Sequence, residues 1–227
     1  MIDQDAYDLI EDMLNRSSGL GLEEAKESVE SVLKGVVEYG HRLHHPFFYE
    51  IRPLVIIAEY LQKPNVRLKF CSQHEQYDGE IIFGGVSKKI EFTRAVDGFN
   101  EALQMELLKK RGMVPAFRKI EATGSKHKRV FGKNETSFVE VKTEKWFQKI
   151  SDGFVQAYEK KLKNDKYSGY WLCITFDDWV LPKSEEKSLF NKSCQIFWAR
   201  QKAAKTLFER VFIVGDSSKF LWDSNSG

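Results

Sequence analysis

The order of apolar patterns along the chain predicts an α/β fold, in which a mixed central sheet is flanked by helices and preceded by an N-terminal helical segment. Apolar residues recur about every 3.6 positions across residues 3–62, which indicates helices. Alternating apolar and polar residues then indicate strands across residues 66–94. Beyond residue 143, amphipathic stretches alternate with continuous apolar runs, a pattern typical of helices packed on buried strands.

The N-terminal part of the chain has two stretches of helical periodicity. The first covers residues 3–15, and the second covers residues 22–43 with its apolar positions on one face. We expect the His-His-Pro sequence at residues 44–46 to end the second helix, because a residue before proline avoids helical backbone angles. The sequence therefore predicts an N-terminal helical segment, 1–44, and an α/β domain, 45–227.

The α/β domain is predicted from alternation, length and turn residues. Two turn signals, Pro64-Asn65 and Gly84-Gly85, separate the first helix and three strands. Residues 97–142 read as a basic insertion that contains a helix beginning at Asp97 and a further hairpin. The predicted elements outside this insertion are helix 47–62, strands 66–71, 79–83 and 88–94, helix 143–164, strand 171–176, a helix from 184, strand 210–214 and a paired segment at 219–222.

The positive charge of the chain is concentrated in the insertion. The net charge is only +2, but nine lysines and arginines and the single acid Glu121 lie between Lys109 and Lys133. Such a segment suits a polyanion, and it is also typical of an ordinary basic loop exposed to solvent. We predict that Lys126, Lys128 and Arg129 contact nucleic-acid phosphates.

The cysteines and the apolar runs indicate an intracellular setting. Cys71, Cys173 and Cys194 have no CxxC spacing and lie in apolar segments, so we expect buried free thiols. No apolar run is long enough to span a membrane, and the acidic start lacks the organisation of a signal peptide. We therefore predict a cytoplasmic protein without membrane attachment. GxSxG, HExxH and GxGxxG do not occur, which disfavours lipase-like hydrolases, zincins and dinucleotide enzymes.

Acidic side chains are predicted to gather on one face of the hairpin around Gly84-Gly85. If the turn spans residues 84–87, Glu80 pairs with Glu91 and Asp78 pairs with Thr93 on the same face. Directly opposed like charges are unfavourable, so a cation, a basic neighbour or a raised pKa should compensate. Carboxylate oxygens are the ligands that a hard divalent ion such as Mg²⁺ prefers.

The order of these elements resembles the PD-(D/E)xK nuclease-like superfamily. The resemblance covers about residues 47–176 and depends on Asp78 in the second strand and on Glu91-Phe92-Thr93 in the third. It implies a restriction-endonuclease-like core in which Asp78 and Glu91 bind Mg²⁺ or Mn²⁺, with Glu80 and Thr93 nearby. It also implies that a metal-bound water attacks a phosphodiester phosphorus of DNA or RNA.

The chain departs from the family pattern at two positions. Thr93 stands where the family has lysine, and Tyr77 stands where proline precedes the aspartate. Threonine has no positive charge, so either a lysine from elsewhere supplies it, for example Lys89 or Lys149, or the domain is a catalytically inactive module that binds nucleic acid or a protein. The sequence is also compatible with a homodimer and with a protein partner on the N-terminal helices.

Several other residues are alternative candidates for the same site. Glu140 and Lys142 form a literal Glu-x-Lys directly before helix 143–164, so this pair competes with Glu91 and Thr93 for the motif. Glu50 or Glu59, in the helix before the first strand, is either a further metal ligand or an exposed helix carboxylate. His74 precedes Asp78 and is either an acid or base near the metal or a loop residue without a role.

Overall fold

The computed structural model describes residues 4–35, 37–38, 41–71, 76–95, 122–123, 130–131, 143–163, 165–176, 185–203, 207–217 and 220–225. The chain divides into two compact units, one formed by residues 1–95 and 147–227 and the other by residues 96–146. The predicted insertion, 97–142, lies within the second unit.

The described helical segments follow the predicted order. The helical segments are α1 (Gln4–Asn15), α2 (Leu22–Lys34), α3 (His44–Pro46), a π-helical turn (Phe47–Ile51), α4 (Arg52–Leu61), α5 (Thr143–Leu162), a 3-10 turn (Asp165–Tyr167) and α6 (Glu185–Ala203). The π-helical turn connects α3 directly to α4, so the chain is helical from His44 to Leu61.

One boundary among the helices was predicted wrongly. The second helix ends at Lys34 rather than at residue 43. Gly35, the residue after this end, donates its backbone N–H to the carbonyl of Val32. Glycine has low helix propensity, which explains the early end. The His-His-Pro sequence at residues 44–46 begins the next helix instead of ending the previous one. Proline is tolerated there because backbone N–H groups in the first turn of a helix have no acceptor within the helix.

The strands of the first unit form a mixed seven-stranded sheet, which confirms the predicted fold class. The strands are β1 (Leu20–Gly21), β2 (Arg67–Phe70), β3 (Gly79–Phe83), β4 (Val86–Arg94), β7 (Trp171–Phe176), β8 (Arg210–Gly215) and β9 (Leu221–Asp223), and they lie in the order β1-β2-β3-β4-β7-β8-β9. The pairs β4–β7 and β7–β8 are parallel, and the remaining pairs are antiparallel. The two-residue strand β1 had not been predicted.

The second unit contains one described hairpin. Its strands are β5 (Ala122–Thr123) and β6 (Val130–Phe131), which pair antiparallel with Ala122 opposite Phe131. A further hairpin had been predicted in the insertion. Lys126, Lys128 and Arg129 stand between these strands in the sequence and lie outside the described residues.

Two apolar layers cover the two faces of the large sheet. On one face, the helices before β2 pack on inward-facing strand residues such as Leu68, Ile90 and Trp171. On the other face, Phe154 of α5 contacts Phe176 at a ring-centroid distance of 5.4 Å. Because side chains alternate along a strand, residues next to each other in β4 and β7 face different layers.

A buried ion pair joins the last two strands. Arg210 in β8 donates from Nε to Oδ1 of Asp223 in β9 at 2.9 Å, and the hydroxyl of Tyr60 donates to Oδ2 at 3.2 Å. The side chain of Asp223 is 2% exposed. Burial raises the pKa of this carboxyl. The hydrogen bonds from Arg210 and from the backbone of Asn225 lower the pKa, and together they outweigh burial, so the pKa of Asp223 is below its ordinary value.

Candidate active site

The hairpin of β3 and β4 turns more tightly than predicted. Phe83 pairs with Val86, so the turn consists of Gly84 and Gly85 alone, and both have positive φ angles, 55° and 77°. Two positive φ angles are typical of a two-residue type I′ turn, which glycine adopts without steric cost. The predicted turn over residues 84–87 was therefore wrong.

The tighter turn shifts every cross-strand partner by two residues. Glu80 pairs with Lys89 rather than with Glu91, and the pair Gly79–Ile90 places Asp78 opposite Glu91 rather than opposite Thr93. A shift of two residues preserves the face on which each side chain lies, because the side-chain period of a strand is two. The predicted acidic face therefore exists, but its directly opposed carboxylates are Asp78 and Glu91.

Asp78 is fixed by hydrogen bonds on both sides. Its backbone N–H donates to the carbonyl of Ile90 and its carbonyl accepts from the N–H of Cys71, both at 3.1 Å. Its side-chain Oδ2 accepts from the backbone N–H of Phe92 at 2.8 Å. The carboxylate is therefore held against β4 at the position opposite Glu91.

The ionised form of Asp78 is disfavoured where it lies. Burial, the negative charge of Glu91 and the negative charge of Glu50 together raise the pKa of Asp78 from 3.8 to about 6, although the hydrogen bond from Phe92 and the charge of Lys161 oppose the shift. A cation bound beside the two carboxylates would favour the ionised form of Asp78.

Glu91 is the more deeply buried of the two carboxylates, and α5 supplies its counter-charge. Glu91 is 5% exposed, and its Oε1 accepts a hydrogen bond from Nζ of Lys161. Glu91 lies beside Leu172 of β7, on the face of the sheet that α5 covers. The ammonium group of Lys161 also lies 5.5 Å from the ring centroid of Tyr167, which immediately follows α5.

Lys161 is a site residue that the sequence reasoning did not identify. The expected replacements for the missing lysine were Lys89 and Lys149. Lys161 stands three positions after Tyr158 and seven after Phe154, two fully buried residues of α5. Residues at these spacings share one face of a helix, so a lysine on the apolar stripe of α5 was the available signal.

Glu50 also lies near the candidate site, and its negative charge contributes to the raised pKa of Asp78. It belongs to the π-helical turn Phe47–Ile51, and its side chain is 22% exposed and lies 3.4 Å from Nδ1 of His45. Short π-helical turns inside helices occur frequently at functional sites. Glu59, the alternative candidate, is exposed and pairs with Lys26 at 3.1 Å.

The other predicted residues on this face have different surroundings. Thr93 is half-buried two residues beyond Glu91, and its carbonyl accepts from the hydroxyl of Thr175 at 3.4 Å. Glu80 accepts from the hydroxyl of Tyr77 at 3.4 Å and from that of Ser87. The ammonium group of Lys89 lies over the ring of Tyr77, 4.8 Å from its centroid.

Several predicted residues cannot be placed relative to this site. His74, Glu140 and Lys142 lie outside the described residues, as does the side chain of Lys149. It therefore stays a prediction that Glu91 and Thr93, rather than Glu140 and Lys142, form the motif.

The chemistry of Asp78 and Glu91 fits a magnesium ion held by few protein ligands. Within the described ranges, no group of three or more histidine, cysteine, aspartate or glutamate side chains is arranged to hold a metal. Mg²⁺ keeps several waters and is usually bound through one or two carboxylates together with substrate phosphates. One oxygen of each carboxylate is engaged, by Phe92 N–H and by Lys161, so the second oxygens are the ones that a metal would contact.

Comparison with family models, with curated proteins and with solved structures gave no match to this chain. Among the described helices, none combines the length and the apolar character that a membrane span requires. Cys71, Cys173 and Cys194 are buried thiols, as predicted.

Proposed function

We propose that this protein is a divalent-metal-dependent nuclease that hydrolyses phosphodiester bonds of DNA or RNA at the Asp78–Glu91 pair. The observation that carries the proposal is the position of these two carboxylates, which face each other across β3 and β4 with Lys161 beside them. The sequence of α4, three antiparallel strands, α5 and the parallel strand β7 supports it, because this is the order of elements implied by the PD-(D/E)xK resemblance.

In this proposal, Asp78 and Glu91 bind Mg²⁺ or Mn²⁺. A bound divalent ion lowers the pKa of a coordinated water and neutralises charge that develops on a phosphoryl group. The chain holds Asp78 in position through its three hydrogen bonds and brings Glu50 close enough to add negative charge to the site. Metal binding would offset the burial and the repulsion that raise the pKa of Asp78.

Lys161 takes the role that the resemblance assigns to the lysine at the position of Thr93. Its ammonium group pairs with Glu91 and its side chain is 17% exposed, so the pair lies in a poorly hydrated place. A fixed positive charge in such a place stabilises the additional negative charge of a phosphoryl transition state. Thr93 is left with the role of a hydroxyl near the site.

The proposal is tested by cleavage of single-stranded and duplex DNA and RNA in Mg²⁺ or Mn²⁺. We expect Asp78→Asn and Glu91→Gln to lower the rate by about 100-fold or more, because a lost metal ligand removes several kcal/mol of transition-state stabilisation. We expect Lys161→Gln to lower it by about 100-fold, as removal of a single charge-stabilising donor does.

Lys160→Gln is the matched control for Lys161→Gln. Lys160 is the preceding residue of α5 and is exposed, so its replacement changes the net charge equally without touching Glu91. Wild-type cleavage in the Asp78→Asn protein, or a Lys160→Gln protein as impaired as Lys161→Gln, would contradict the assignment. Circular dichroism and thermal unfolding show whether each variant remains folded.

A second candidate function is a catalytically inactive module that binds nucleic acid or a protein. The observation that favours it is the ion pair between Glu91 and Lys161, which satisfies the buried carboxylate without any metal. In that case the wild-type protein cleaves none of the substrates, and Mg²⁺ does not change its thermal stability.

A further inference from the structure

Three tyrosine rings form a row beside the carboxylates, and we call Tyr77, Tyr170 and Tyr167 the tyrosine row. The ring centroids of Tyr77 and Tyr170 lie 6.2 Å apart at an interplanar angle of 90°, and those of Tyr170 and Tyr167 lie 6.1 Å apart at 61°. Tyr77 and Tyr170 are half-buried, whereas Tyr167 is 7% exposed. Tyr77 and Tyr170 are therefore partly exposed to solvent, and Tyr167 forms the buried end of the row.

Lysine ammonium groups lie over the rings of this row. Lys89 lies 4.8 Å from the centroid of Tyr77 and 5.6 Å from that of Tyr170. Lys166 lies 4.6 Å from the centroid of Tyr167. Lys89 and Lys166 are both exposed, so each can contact a phosphate while the adjacent ring contacts a base.

The tyrosine row extends to the candidate active site. Tyr77 directly precedes Asp78 in the chain, and Lys161 contacts both Glu91 and the ring of Tyr167. The side chains of Glu80 and Tyr77 are also connected, because the tyrosine hydroxyl donates to Oε2 of Glu80. Glu80 therefore belongs to the support of the row rather than to the carboxylate pair.

We propose that the tyrosine row and Lys89 bind a single strand of nucleic acid and direct it to the carboxylate pair. Aromatic rings stack on bases of any sequence, and neighbouring lysines bind the backbone phosphates. The faces of paired bases are covered by their neighbours in a duplex, so rings that stack on bases favour an unpaired strand. This inference rests on the proposed function, since it specifies which form of nucleic acid the carboxylate site would cut.

The test is binding of fluorescent oligo(dT) and oligo(rU) in EDTA, where metal-dependent cleavage does not occur. We expect Tyr170→Ala to weaken binding roughly 5- to 100-fold, the range found for loss of one base–aromatic stack. Tyr170→Phe keeps the ring and should bind within about twofold of wild type. Lys89→Gln should weaken binding. It should also reduce the slope of the logarithm of the binding constant against the logarithm of salt concentration by about 0.7, the value for one phosphate contact with a single strand.

Lys34→Gln is the control for Lys89→Gln, because Lys34 is an exposed lysine of α2 and lies outside the row. A duplex of equal length and poly-glutamate are the competing probes. The inference is overturned if the duplex binds as tightly as the single strand, if poly-glutamate competes equally, or if Tyr170→Ala and Lys89→Gln bind like the wild type.

The binding and cleavage assays separate the two proposals. If Asp78→Asn abolishes cleavage while Tyr170→Ala and Lys89→Gln bind normally, the carboxylate site is retained and the strand-binding row is rejected. If those variants lose single-strand binding although no substrate is cleaved, the row is retained and the nuclease is rejected.

Discussion

Replacement of Asp78 by asparagine should stabilise the fold at neutral pH while it abolishes cleavage. Asparagine has nearly the same shape as the protonated carboxyl and retains an oxygen that can accept from the backbone N–H of Phe92. It removes the negative charge that is disfavoured by burial and by the charges of Glu91 and Glu50. The variant therefore isolates the cost of keeping Asp78 ionised.

The size and the sign of the effect follow from the pKa of Asp78, which is raised from 3.8 to about 6. At pH values below 3.8, the ordinary pKa, the Asp78 carboxyl is protonated in both the folded and the unfolded chain, so its ionisation does not affect stability. As the pH rises between these values, the unfolded chain ionises first, and the wild type loses about 1.4 kcal/mol of stability per pH unit. The loss is complete above the folded-state pKa and reaches about 3 kcal/mol as an upper limit, because the shift is about 2 units.

The assay is urea-induced unfolding of the wild type and of Asp78→Asn from pH 4 to pH 8. We expect similar free energies of unfolding near pH 4 and a difference that grows to about 2–3 kcal/mol at pH 7 in favour of the variant. Asp165→Asn is the control, because Asp165 is an exposed carboxylate in the 3-10 turn after α5. Its unfolding curve should follow that of the wild type.

Parallel pH profiles of the two proteins would refute this reasoning, as would a less stable Asp78→Asn protein at pH 7. Mg²⁺ provides a second measurement on the same pair of proteins. A ligand at 100 times its dissociation constant stabilises the folded state by about 2.7 kcal/mol. The wild type should gain this stability in Mg²⁺ and Asp78→Asn should not, whereas equal gains would exclude Asp78 as a ligand.

Three further predictions concern stability and use chemical unfolding at pH 7. Lys161→Ala leaves Glu91 buried without its counter-charge and should cost about 3–5 kcal/mol, and a loss below 1 kcal/mol would indicate that the pair is solvated. Asp223→Asn should likewise cost about 3–5 kcal/mol, because it breaks the buried pair with Arg210, and wild-type stability would disprove the importance of that pair. Gly85→Ala places a Cβ at a φ of 77° and should cost about 1–2 kcal/mol, whereas an unchanged midpoint would show that the turn adapts.

The sequence was sufficient to predict the fold class because the strongest patterns coincide with the elements that form the sheet. The run Trp171–Phe176 is buried at every position, as expected of a strand covered on both faces. The periodicity of α5 likewise predicted the helix whose Phe154 and Tyr158 are fully buried. Both patterns are long, so local exceptions do not alter them.

The pairing within the β3–β4 hairpin was less predictable, because the turn length is not encoded in the alternation. The sequence Gly84-Gly85-Val86-Ser87 is compatible with a turn of four residues or of two, and both place Asp78 and Glu91 on one face. Only the structure identifies the two-residue turn, because it shows that both glycines have positive φ angles. The prediction therefore gave the correct face and the wrong partners.

The surroundings of the carboxylates were the least predictable part of the site. Lys161 is 70 positions from Glu91 in the chain, and a helix lysine is ordinarily exposed. Glu50 acts on Asp78 from within a π-helical turn, which changes the direction of a side chain relative to a regular helix. Hydrophobic periodicity assumes a regular helix and does not reveal such a turn.

The charge distribution on the hairpin distinguishes its two acidic positions. A hairpin selected only for folding would place opposite charges at both cross-strand pairs, since opposed like charges destabilise a sheet. Glu80 follows this rule, because it faces Lys89. Asp78 does not follow it: it faces Glu91 and bears a raised pKa, even though Lys161 lies close enough to lower that pKa in part. Retained local instability of this kind is concentrated at functional sites, and for this reason we propose that Asp78 and Glu91 carry the chemistry and that Glu80 has a supporting role.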